Sequence, residues 1–446
     1  MTLATASIDN TFGRLLACLV LVGVVAKLSG LLLRRLGQPA VIGEILAGIA
    51  LGPSLLGLVG HDLPGRLFPG DVVPYLKVVS ELGLVLFMFC VGLELDPKAL
   101  RASGRHAAVI SLTSIALPFV LGVALLGPML YNAHAQVGGT TIRFAPFALF
   151  LGVSMCGTAF AVLARVLAEH DLLTTRLGAL LMSCAAIDDV VAFVLLGFVV
   201  AVARAVGVGG LGLVLAELVV LVAVLRLAVR PVLARTVTRR YTASGRLAPE
   251  ALAVLVLGAL ASAVAAQRIG LHPMMGAFLF GTSVPVDGRR RLVHVVHQRL
   301  EGVSVQLLMP VFFVVTGLGV DVRGLRAADL VPALVVLAVA CVGKFVGGAG
   351  SARLLGLPRR EALAVGTLMN TRGLAELVIL NVGRSAGVLD DRMYTILVVM
   401  AIVTTVMAGP VLRVVYPERL RAAERAASPA AGVALAAPEP QPAVAA

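Results

Sequence analysis

The chain of 446 residues is strongly apolar: 59% of its residues are hydrophobic, 14% are charged and its mean hydropathy is +1.01. Soluble globular proteins carry about 25% charged residues, so this composition excludes an ordinary soluble protein and indicates an integral membrane protein. The formal net charge is +13, but the basic residues lie in short clusters between apolar segments, which indicates membrane orientation rather than nucleic-acid binding. We therefore expect membrane lipid around the chain and no nucleic-acid partner.

Apolar segments long enough to cross a bilayer recur along the chain, each close to the roughly 20 residues that a spanning helix needs. They predict an all-α polytopic membrane protein with about thirteen transmembrane helices. The ninth and tenth segments are short and could instead be tilted or re-entrant. The predicted helices lie near residues 11–33, 41–59, 77–95, 107–130, 144–168, 177–203, 209–229, 250–267, 273–286, 303–319, 330–354, 361–382 and 390–415.

The basic residues alternate between the two sides of these thirteen segments. With the N-terminus outside, 25 of the 37 Lys and Arg residues fall on the inner side, 10 on the outer side, and Lys344 and Arg372 inside the membrane. Because Lys and Arg accumulate on the cytoplasmic side, this pattern predicts an outside N-terminus and a cytoplasmic C-terminus. We expect a multi-pass protein of the cell's inner (plasma) membrane.

One membrane domain is expected to fill residues 1–425. Residues 426–446 are rich in Ala and Pro and have few bulky apolar side chains, so we expect a disordered cytoplasmic tail. The five cysteines show no metal-ligand spacing, and no cofactor is expected.

Two adjacent acids, Asp188 and Asp189, lie in the middle of the sixth predicted helix. A charge inside a bilayer is costly, so these residues are candidates for function. Adjacent residues of a helix point about 100° apart, which argues against two carboxylates converging on one bond, as an intramembrane aspartyl protease requires. One carboxylate can instead face a water-filled cavity while the other faces a buried partner, for which Lys344 is the expected residue. A carboxylate in such a cavity can hold a proton or a monovalent cation, and competition for one site couples the two ions.

Two predicted helices, the fifth and the twelfth, carry small and polar residues at their centres. Such interruptions expose backbone groups that can line an ion cavity, and transporters built from inverted repeats have them at matching positions in both halves. The two helices are seven apart in order, and an odd offset means opposite orientation, so helices four to six and eleven to thirteen form a plausible inverted pair. The alternative is ordinary packing of helices through small residues. The central residues are Ser154, Cys156, Gly157 and Thr158 in the fifth helix and Asn370, Thr371, Arg372 and Gly373 in the twelfth.

Five sequence motifs, together with the Asp pair, resemble the second branch of the monovalent cation:proton antiporter superfamily, in that family's order and along nearly the whole chain. The motifs are QPAVIGEILAGIALGPSLLG at 38–57, LGLVLFMFCVGLELD at 82–96, HPMMGAFLFGTSVP at 272–285, PVFFVVTGLGVDV at 310–322 and NTRGLAELVILNVG at 370–383. The resemblance implies a thirteen-helix, inverted-repeat sodium/proton antiporter fold with two crossing broken helices. It also implies core helices at about 107–203 and 330–415, dimerisation helices at about 11–95 and 250–319, a homodimer, and elevator-like alternating access.

The same resemblance implies the residues of the site. Asp189 would carry the transported sodium or potassium ion or the proton, with Asp188 and Thr158 completing the binding site. Asp188 would pair with Lys344. The predicted supporting residues are Lys344, Arg372 and Glu376, together with Asn370 and Ser154 from the centres of the two interrupted helices.

Two features of the resemblance point to different cations, so the identity of the transported cation stays open. An acid at the position of Asp188 goes with electrogenic sodium/proton exchange in the family, whereas the motifs from Asn370 onward look closer to plant-type exchangers associated with potassium. A potassium-selective or electroneutral exchanger, or an antiporter of another cationic cargo, is the alternative. An ion channel should show repeated pore loops, which are absent from the sequence. An enzyme is not expected, because the seven histidines map to loops or helix ends and form no catalytic constellation.

Overall fold

The structure, a computed structural model, describes residues 2–59, 63–94, 104–173, 175–204, 207–238, 247–285, 290–303 and 307–427. Within these ranges the chain is almost entirely helical, with one antiparallel hairpin formed by β1 (Gln136–Val137) and β2 (Thr140–Thr141). Nine helical segments of the described chain are long and apolar enough to cross a membrane. The prediction of an all-α, multi-pass protein is therefore confirmed.

The helices are numbered in chain order. In the first half they are α1 (Thr2–Arg35), α2 (Ala40–Leu51), α3 (Leu56–Val59), α4 (Leu63–Leu67), α5 (Val73–Glu94), α6 (Gly104–Leu121), α7 (Gly127–His134), α8 (Phe144–Ser154), α9 (Phe160–Glu169), α10 (Arg176–Arg204), α11 (Gly207–Val224) and α12 (Arg230–Leu233). In the second half they are α13 (Pro249–Arg268), α14 (Pro273–Ser283), α15 (Arg290–Val303), α16 (Met309–Leu318), α17 (Leu330–Leu354), α18 (Arg359–Leu368), α19 (Leu374–Ser385), α20 (Asp391–Val415) and α21 (Glu418–Ala427). Short π-helical turns, at Gly122–Leu126, Leu225–Val229 and Ala234–Thr238, continue α6 into α7 and flank α12.

The nine long segments coincide with nine of the thirteen predicted spans. The other four predicted spans contain shorter helices. Two of these, α14 and α16, are 11 and 10 residues long, and the remaining two are each divided into a pair of helices, α8 with α9 and α18 with α19. The count of thirteen crossings stays a prediction, because length and composition identify only the continuous ones.

One group of helices, called the scaffold here, consists of α1, α2, α5, α13, α14 and α16. Its members pack closely through small residues: a Cβ at Gly48 would collide with the backbone of Gly317 in α16. A Cβ at Gly281 would likewise meet the backbone of Gly92 in α5. Close backbone approach at small residues is a common way of joining helices in lipid, where the hydrophobic effect does not drive their association.

A second group, called the core here, repeats one pattern twice: a long helix, an interrupted helix and another long helix. The first copy is α6, α8 with α9, and α10, and the second is α17, α18 with α19, and α20. The two copies meet where α6 packs against α17, with Gly343 and Gly347 against the backbone of α6. The predicted breaks in the fifth and twelfth helices are both present, at residues 155–159 and 369–373.

The last helix, α21, packs against the ends of the core helices α9 and α10. Arg421 donates a hydrogen bond to His170 Nδ1 at 2.8 Å, and the Glu424 carboxylate accepts one from the backbone N–H of Leu177 at 3.2 Å. The helix continues to Ala427, two residues into the segment 426–446 that the sequence predicts to be disordered, and the disordered tail stays a prediction. Residues 428–446 lie outside the described part of the chain.

Candidate ion-binding site

Two interrupted helices cross in the middle of the core. The chain between α8 and α9 passes the chain between α18 and α19, and the backbone N–H of Ala159 donates a hydrogen bond to the carbonyl of Thr371 at 2.9 Å. Each break leaves one helix C-terminus and one helix N-terminus in the interior of the bundle. Such ends carry unpaired backbone groups and partial charges, which must be satisfied by side chains or by a bound ion.

Asp188, in the middle of α10, is fully buried and surrounded by donors. One carboxylate oxygen accepts hydrogen bonds from Lys344 Nζ at 2.8 Å and from the Thr158 hydroxyl at 2.7 Å. The other oxygen accepts one from the hydroxyl of Ser111 on α6, and Ser114 lies 3.4 Å from the first. In this conformation the donors occupy both oxygens of Asp188, and its part as a ligand of the transported cation stays a prediction.

Lys344 is as deeply buried as Asp188, and α17 carries it to the same point. Its ammonium group lies 2.8 Å from the Asp188 carboxylate and also donates to the Thr158 hydroxyl at 2.7 Å. Burying either charge alone, away from water, would be very costly. The two opposite charges compensate each other and so make the burial of both possible. The structure thus brings together Asp188, Lys344 and Thr158, three of the residues that the sequence singled out.

The hydroxyl of Thr158 is shared among three neighbours. It accepts a hydrogen bond from Lys344 and lies 2.7 Å from Asp188 and 2.8 Å from the backbone carbonyl of Met369. A hydroxyl has one hydrogen to donate, so it can satisfy either the carboxylate or the carbonyl at a given moment. Thr158 therefore links the charged pair to the C-terminal end of α18.

Asp189 is the next residue along α10 and points elsewhere. Its carboxylate accepts a hydrogen bond from the backbone N–H of Phe160, the first residue of α9. The second oxygen, Oδ1, is buried and has no hydrogen-bond partner among the described residues. A carboxylate held at a helix N-terminus, with one buried oxygen unpaired, has the chemistry to accept a proton or to coordinate a hard monovalent cation.

The opposite side of the crossing holds a second buried ion pair, between Arg372 and Glu376. The guanidinium of Arg372 donates to two carbonyls at the C-terminal end of α8, those of Ser154 at 2.7 Å and of the capping residue Met155 at 2.8 Å, and it lies 2.9 Å from Glu376. Both charged side chains are almost completely buried. A cation beside the C-terminal carbonyls of a helix is favourable because these groups carry partial negative charge. Arg372 therefore supports α8 directly, much as Lys344 reaches the end of α18 through Thr158.

Two residues predicted as supporting, Ser154 and Asn370, do not contact the acid pair with their side chains. The Ser154 hydroxyl bonds within its own helix, to the carbonyl of Phe150 at 3.0 Å. The Asn370 amide lies 3.6 Å from Cys341 Sγ and lines a separate apolar cavity of about 260 Å³ between α17, α18 and α20. Ser154 takes part in the site only through its carbonyl.

Four participants in the site are not among the residues predicted from the sequence: Ser111, Ser114, Thr405 and the backbone N–H of Phe160. Ser111 and Ser114 are three residues apart on α6, and this spacing places both on the side of the helix that faces α10. In the sequence, this spacing was the indication that the two residues could act together. Thr405 accepts a hydrogen bond from the backbone N–H of Arg372 at 3.0 Å and lies 2.6 Å from the carbonyl of the same residue. A lone Thr in a membrane helix does not indicate a role in a site. A backbone N–H donor cannot be identified from residue type at all.

The boundary between scaffold and core differs at its two ends. At the end near α19 and the start of α20, the Asn381 amide donates to the Thr316 hydroxyl at 2.9 Å, and the Tyr394 hydroxyl donates to the Thr316 carbonyl at 3.2 Å. At the opposite end, a cavity of about 400 Å³ lies between the loop after α1 and the helices α9 and α20. In this conformation the boundary is therefore closed by hydrogen bonds at the end near α19. The opposite end, which contains the cavity, is called the hollow end here.

Several known proteins are similar to this chain in sequence. Residues 21–416 match the family model described as "Sodium/hydrogen exchanger, transmembrane". The chain is 40% identical to the Na(+)/H(+) antiporter NhaS4 of Synechocystis, over 92% of this chain and 98% of that protein. It is 39% identical to Cation/H(+) antiporter 20 of Arabidopsis thaliana, over 92% of this chain and 49% of the relative. It is 32% identical to K(+)/H(+) antiporter 1 of Saccharomyces cerevisiae, over 91% and 46%.

A solved structure is also similar, that of the sodium proton antiporter MjNhaP1 from Methanocaldococcus jannaschii. The TM-score is 0.53 at 14% sequence identity, over 93% of this chain and 98% of that one. At this identity the likeness concerns the fold alone. The chain spans nearly all of the Synechocystis relative but only about half of the plant and yeast relatives.

Proposed function

The chain belongs to the sodium/hydrogen exchanger family and is a secondary antiporter of monovalent cations and protons, and we propose that Asp189 is the carboxylate that binds the two ions in turn. The observation that carries this assignment is the buried Oδ1 of Asp189, which lacks a partner among the described residues. Asp188, one residue away, has both oxygens engaged by donors. Of the two acids, only Asp189 therefore has an oxygen available to an ion without breaking an existing bond.

We infer that exchange follows from exclusive occupancy of Asp189. A proton on the carboxylate removes its negative charge and with it the attraction for a cation, whereas a bound cation opposes protonation of the same group. If the core moves only when the site is occupied, each movement carries one ion or the other. The hollow end of the boundary between scaffold and core supports access from the side that the charge pattern predicts to be cytoplasmic.

Lys344 has a separate part in this proposal, that of compensating the buried charge of Asp188 beside the site. Replacing Lys344 with Gln should leave exchange measurable but shift its pH profile and reduce the charge moved per cycle. The reason is that Asp188, without the ammonium 2.8 Å away, would be an uncompensated buried charge. The variant is tested in proteoliposomes by recording proton flux between pH about 6 and 9, with and without an imposed membrane potential.

The matched variant for this test is Asp188→Asn combined with Lys344→Gln, which removes both charges. It should resemble Lys344→Gln in charge movement and be more stable to heat, because no unpaired charge remains. Parental pH and voltage dependence in Lys344→Gln would remove Lys344 from the transport cycle.

The cation is proposed to be sodium or potassium. The names of the relatives point both ways, since the Synechocystis protein is named for sodium and the yeast protein for potassium. The test is proton flux in proteoliposomes on addition of sodium, potassium or lithium, each at two membrane potentials. We expect sodium or potassium to drive proton movement in the opposite direction. Cation flux that proceeds without proton movement would instead indicate a channel and contradict antiport.

The assembly and orientation are proposed on the same family grounds. We propose a homodimer formed through the scaffold, in the inner (plasma) membrane, with the N-terminus outside and the C-terminus inside. The outward face of α1 supports a partner or lipid there, since Val20, Leu28 and Leu32 are each more than half exposed. Cross-linking in the native membrane should trap a species of twice the chain's mass, and accessibility of a C-terminal tag from the inside only would agree with the orientation.

A further inference from the structure

The hollow end of the boundary between scaffold and core is a positively charged vestibule. Its volume is about 400 Å³, and its walls come from both groups of helices. The scaffold contributes Arg34 at the end of α1 and the loop with Gln38, and the core contributes Arg413 of α20 and the end of α9. Arg413 reaches across the boundary, because a Cβ built on Gly37 would lie 4.0 Å from its guanidinium.

Little in the vestibule balances these two guanidinium groups. Arg34 and Arg413 are exposed, and within the described chain neither guanidinium group has an ion-pair or hydrogen-bond partner. The carboxylate in the wall, Glu169, is already paired with Arg165 at 2.8 Å. The carboxylate of Glu44, farther along α2, lies near Arg34 but also near Lys27. The vestibule therefore carries a net positive charge.

The histidine of the wall adds no charge of its own at neutral pH. Burial, together with the guanidinium charges of Arg421 and Arg413, lowers the pKa of His170. Its Nδ1 lies 2.8 Å from the Arg421 guanidinium, which can only donate, so Nδ1 is the acceptor and the ring is neutral. The charge of the vestibule is that of Arg34 and Arg413.

A positive vestibule is poorly suited to attract the cation that the protein transports, and its charge calls for another ligand. Two guanidinium groups that line one cavity match the oxygens of a phosphate group, to which arginine binds through paired hydrogen bonds. We propose that the vestibule is a binding site for a phosphate-bearing anion, held between Arg34 of the scaffold and Arg413 of the core. The phosphate is either free in solution or carried by the headgroup of an anionic lipid.

Such a ligand would slow exchange, a consequence that rests on the proposed function. Arg34 belongs to the scaffold and Arg413 to the core, so an anion that contacts both binds this arrangement more tightly than one in which the core has moved. A ligand that favours one of two conformations shifts the population toward it in proportion to the difference in affinity. The bound phosphate is therefore a brake on the movement and not a transported substrate.

Binding is tested first with labelled inorganic phosphate and the purified full chain, by equilibrium dialysis. We expect one saturable site per chain in the parent, and about tenfold or more weaker binding in Arg34→Gln/Arg413→Gln, because charge-assisted hydrogen bonds are lost. The matched control is Arg35→Gln/Arg419→Gln, which removes the same charge from two exposed residues outside the vestibule wall. It should bind phosphate like the parent. Asp189→Asn should also bind it normally, so that failure of the proposed ion site leaves this result unaffected.

The lipid source is tested by transport in vesicles of phosphatidylcholine alone or with added phosphatidic acid. Slower exchange with phosphatidic acid in the parent and in the control pair, but not in Arg34→Gln/Arg413→Gln, identifies a lipid phosphate as the ligand. Saturable binding of inorganic phosphate with the same dependence on Arg34 and Arg413 identifies the free anion. If neither probe distinguishes the double variant from its control, the proposal is wrong.

Discussion

Proton movement driven by sodium or potassium should fall to the background of empty vesicles when Asp189 is replaced with Asn. The amide has nearly the shape of the carboxylate and can still accept the hydrogen bond from the Phe160 N–H, so the fold should be retained. It cannot ionise, however, and therefore offers neither a charge for the cation nor a base for the proton. The measurement is the dissipation of a preformed proton gradient in inverted membrane vesicles on addition of the cation.

Two controls make the result specific. Glu81→Gln makes the same change from acid to amide on the exposed side of the scaffold helix α5, and it should transport like the parent. The thermal unfolding of purified Asp189→Asn should match that of the parent, which excludes misfolding as the cause. Parental transport by Asp189→Asn, with loss in Asp188→Asn, would move the ion to Asp188 and overturn the assignment.

Replacing Arg372 with Met should lower the free energy of unfolding by about 3–5 kcal/mol, the range found when one partner of a buried ion pair is removed. The variant leaves Glu376 as an uncompensated buried charge. It also removes the donors to the carbonyls of Ser154 and Met155 at the end of α8. The loss should be measured as the unfolding of purified protein in detergent, by heat or by denaturant.

A second substitution separates the two causes of this loss. Arg372→Met/Glu376→Gln removes the unpaired charge and should recover part of the stability, while the two orphaned carbonyls of α8 still cost about 1–3 kcal/mol each. Arg360→Met is the matched control, because this exposed residue of α18 donates one hydrogen bond at 3.2 Å and should contribute less than about 1 kcal/mol. Equal stability of Arg372→Met and Arg360→Met would show that the buried pair does not hold the crossing together.

The sequence predicted the interruptions of two helices closely, and the reason is physical. Small and polar residues such as Gly157 and Asn370 in the middle of an apolar segment weaken the helix and can satisfy freed backbone groups. The expected breaks, at 154–158 and 370–373, fall within one residue of the observed ones at 155–159 and 369–373. The proximity of Lys344 to Asp188 was also foreseeable, because two buried opposite charges without other partners must compensate each other.

Other parts of the site could not be predicted from the sequence. At a break the backbone leaves the helical path, so adjacent side chains diverge in directions that residue type does not determine. Asn370 and Thr371 therefore face different surroundings, and Asn370 lies in an apolar cavity instead of at the acid pair. The N–H of Phe160, which fixes Asp189, belongs to the backbone. Ser111 and Ser114 resemble any small residues of a packed membrane helix until the structure places them against Asp188.

The number of crossings illustrates the same limit for the fold. Hydropathy identifies continuous apolar segments, but α14 and α16, with 11 and 10 residues, are too short for length alone to decide whether they cross. Their packing against α5 and α2 through glycines depends on contacts between distant parts of the chain, such as Gly48 with Gly317. Such contacts cannot be inferred from the residues that neighbour each glycine in the sequence.

The partners of the buried groups at the crossing all come from the core itself. Arg372 binds carbonyls of α8, Lys344 and Thr158 bind Asp188, and Thr405 binds the backbone of Arg372. A displacement of the core against the scaffold therefore breaks none of these bonds. The contacts that it must break lie at the boundary, such as the hydrogen bond of Asn381 with Thr316 and the apolar packing of Met88 and Phe312 in a cluster shared with the core. We therefore expect substitutions at the boundary to change turnover speed and substitutions at the crossing to change ion preference, so that evolution, or an engineer, could adjust one while leaving the other alone.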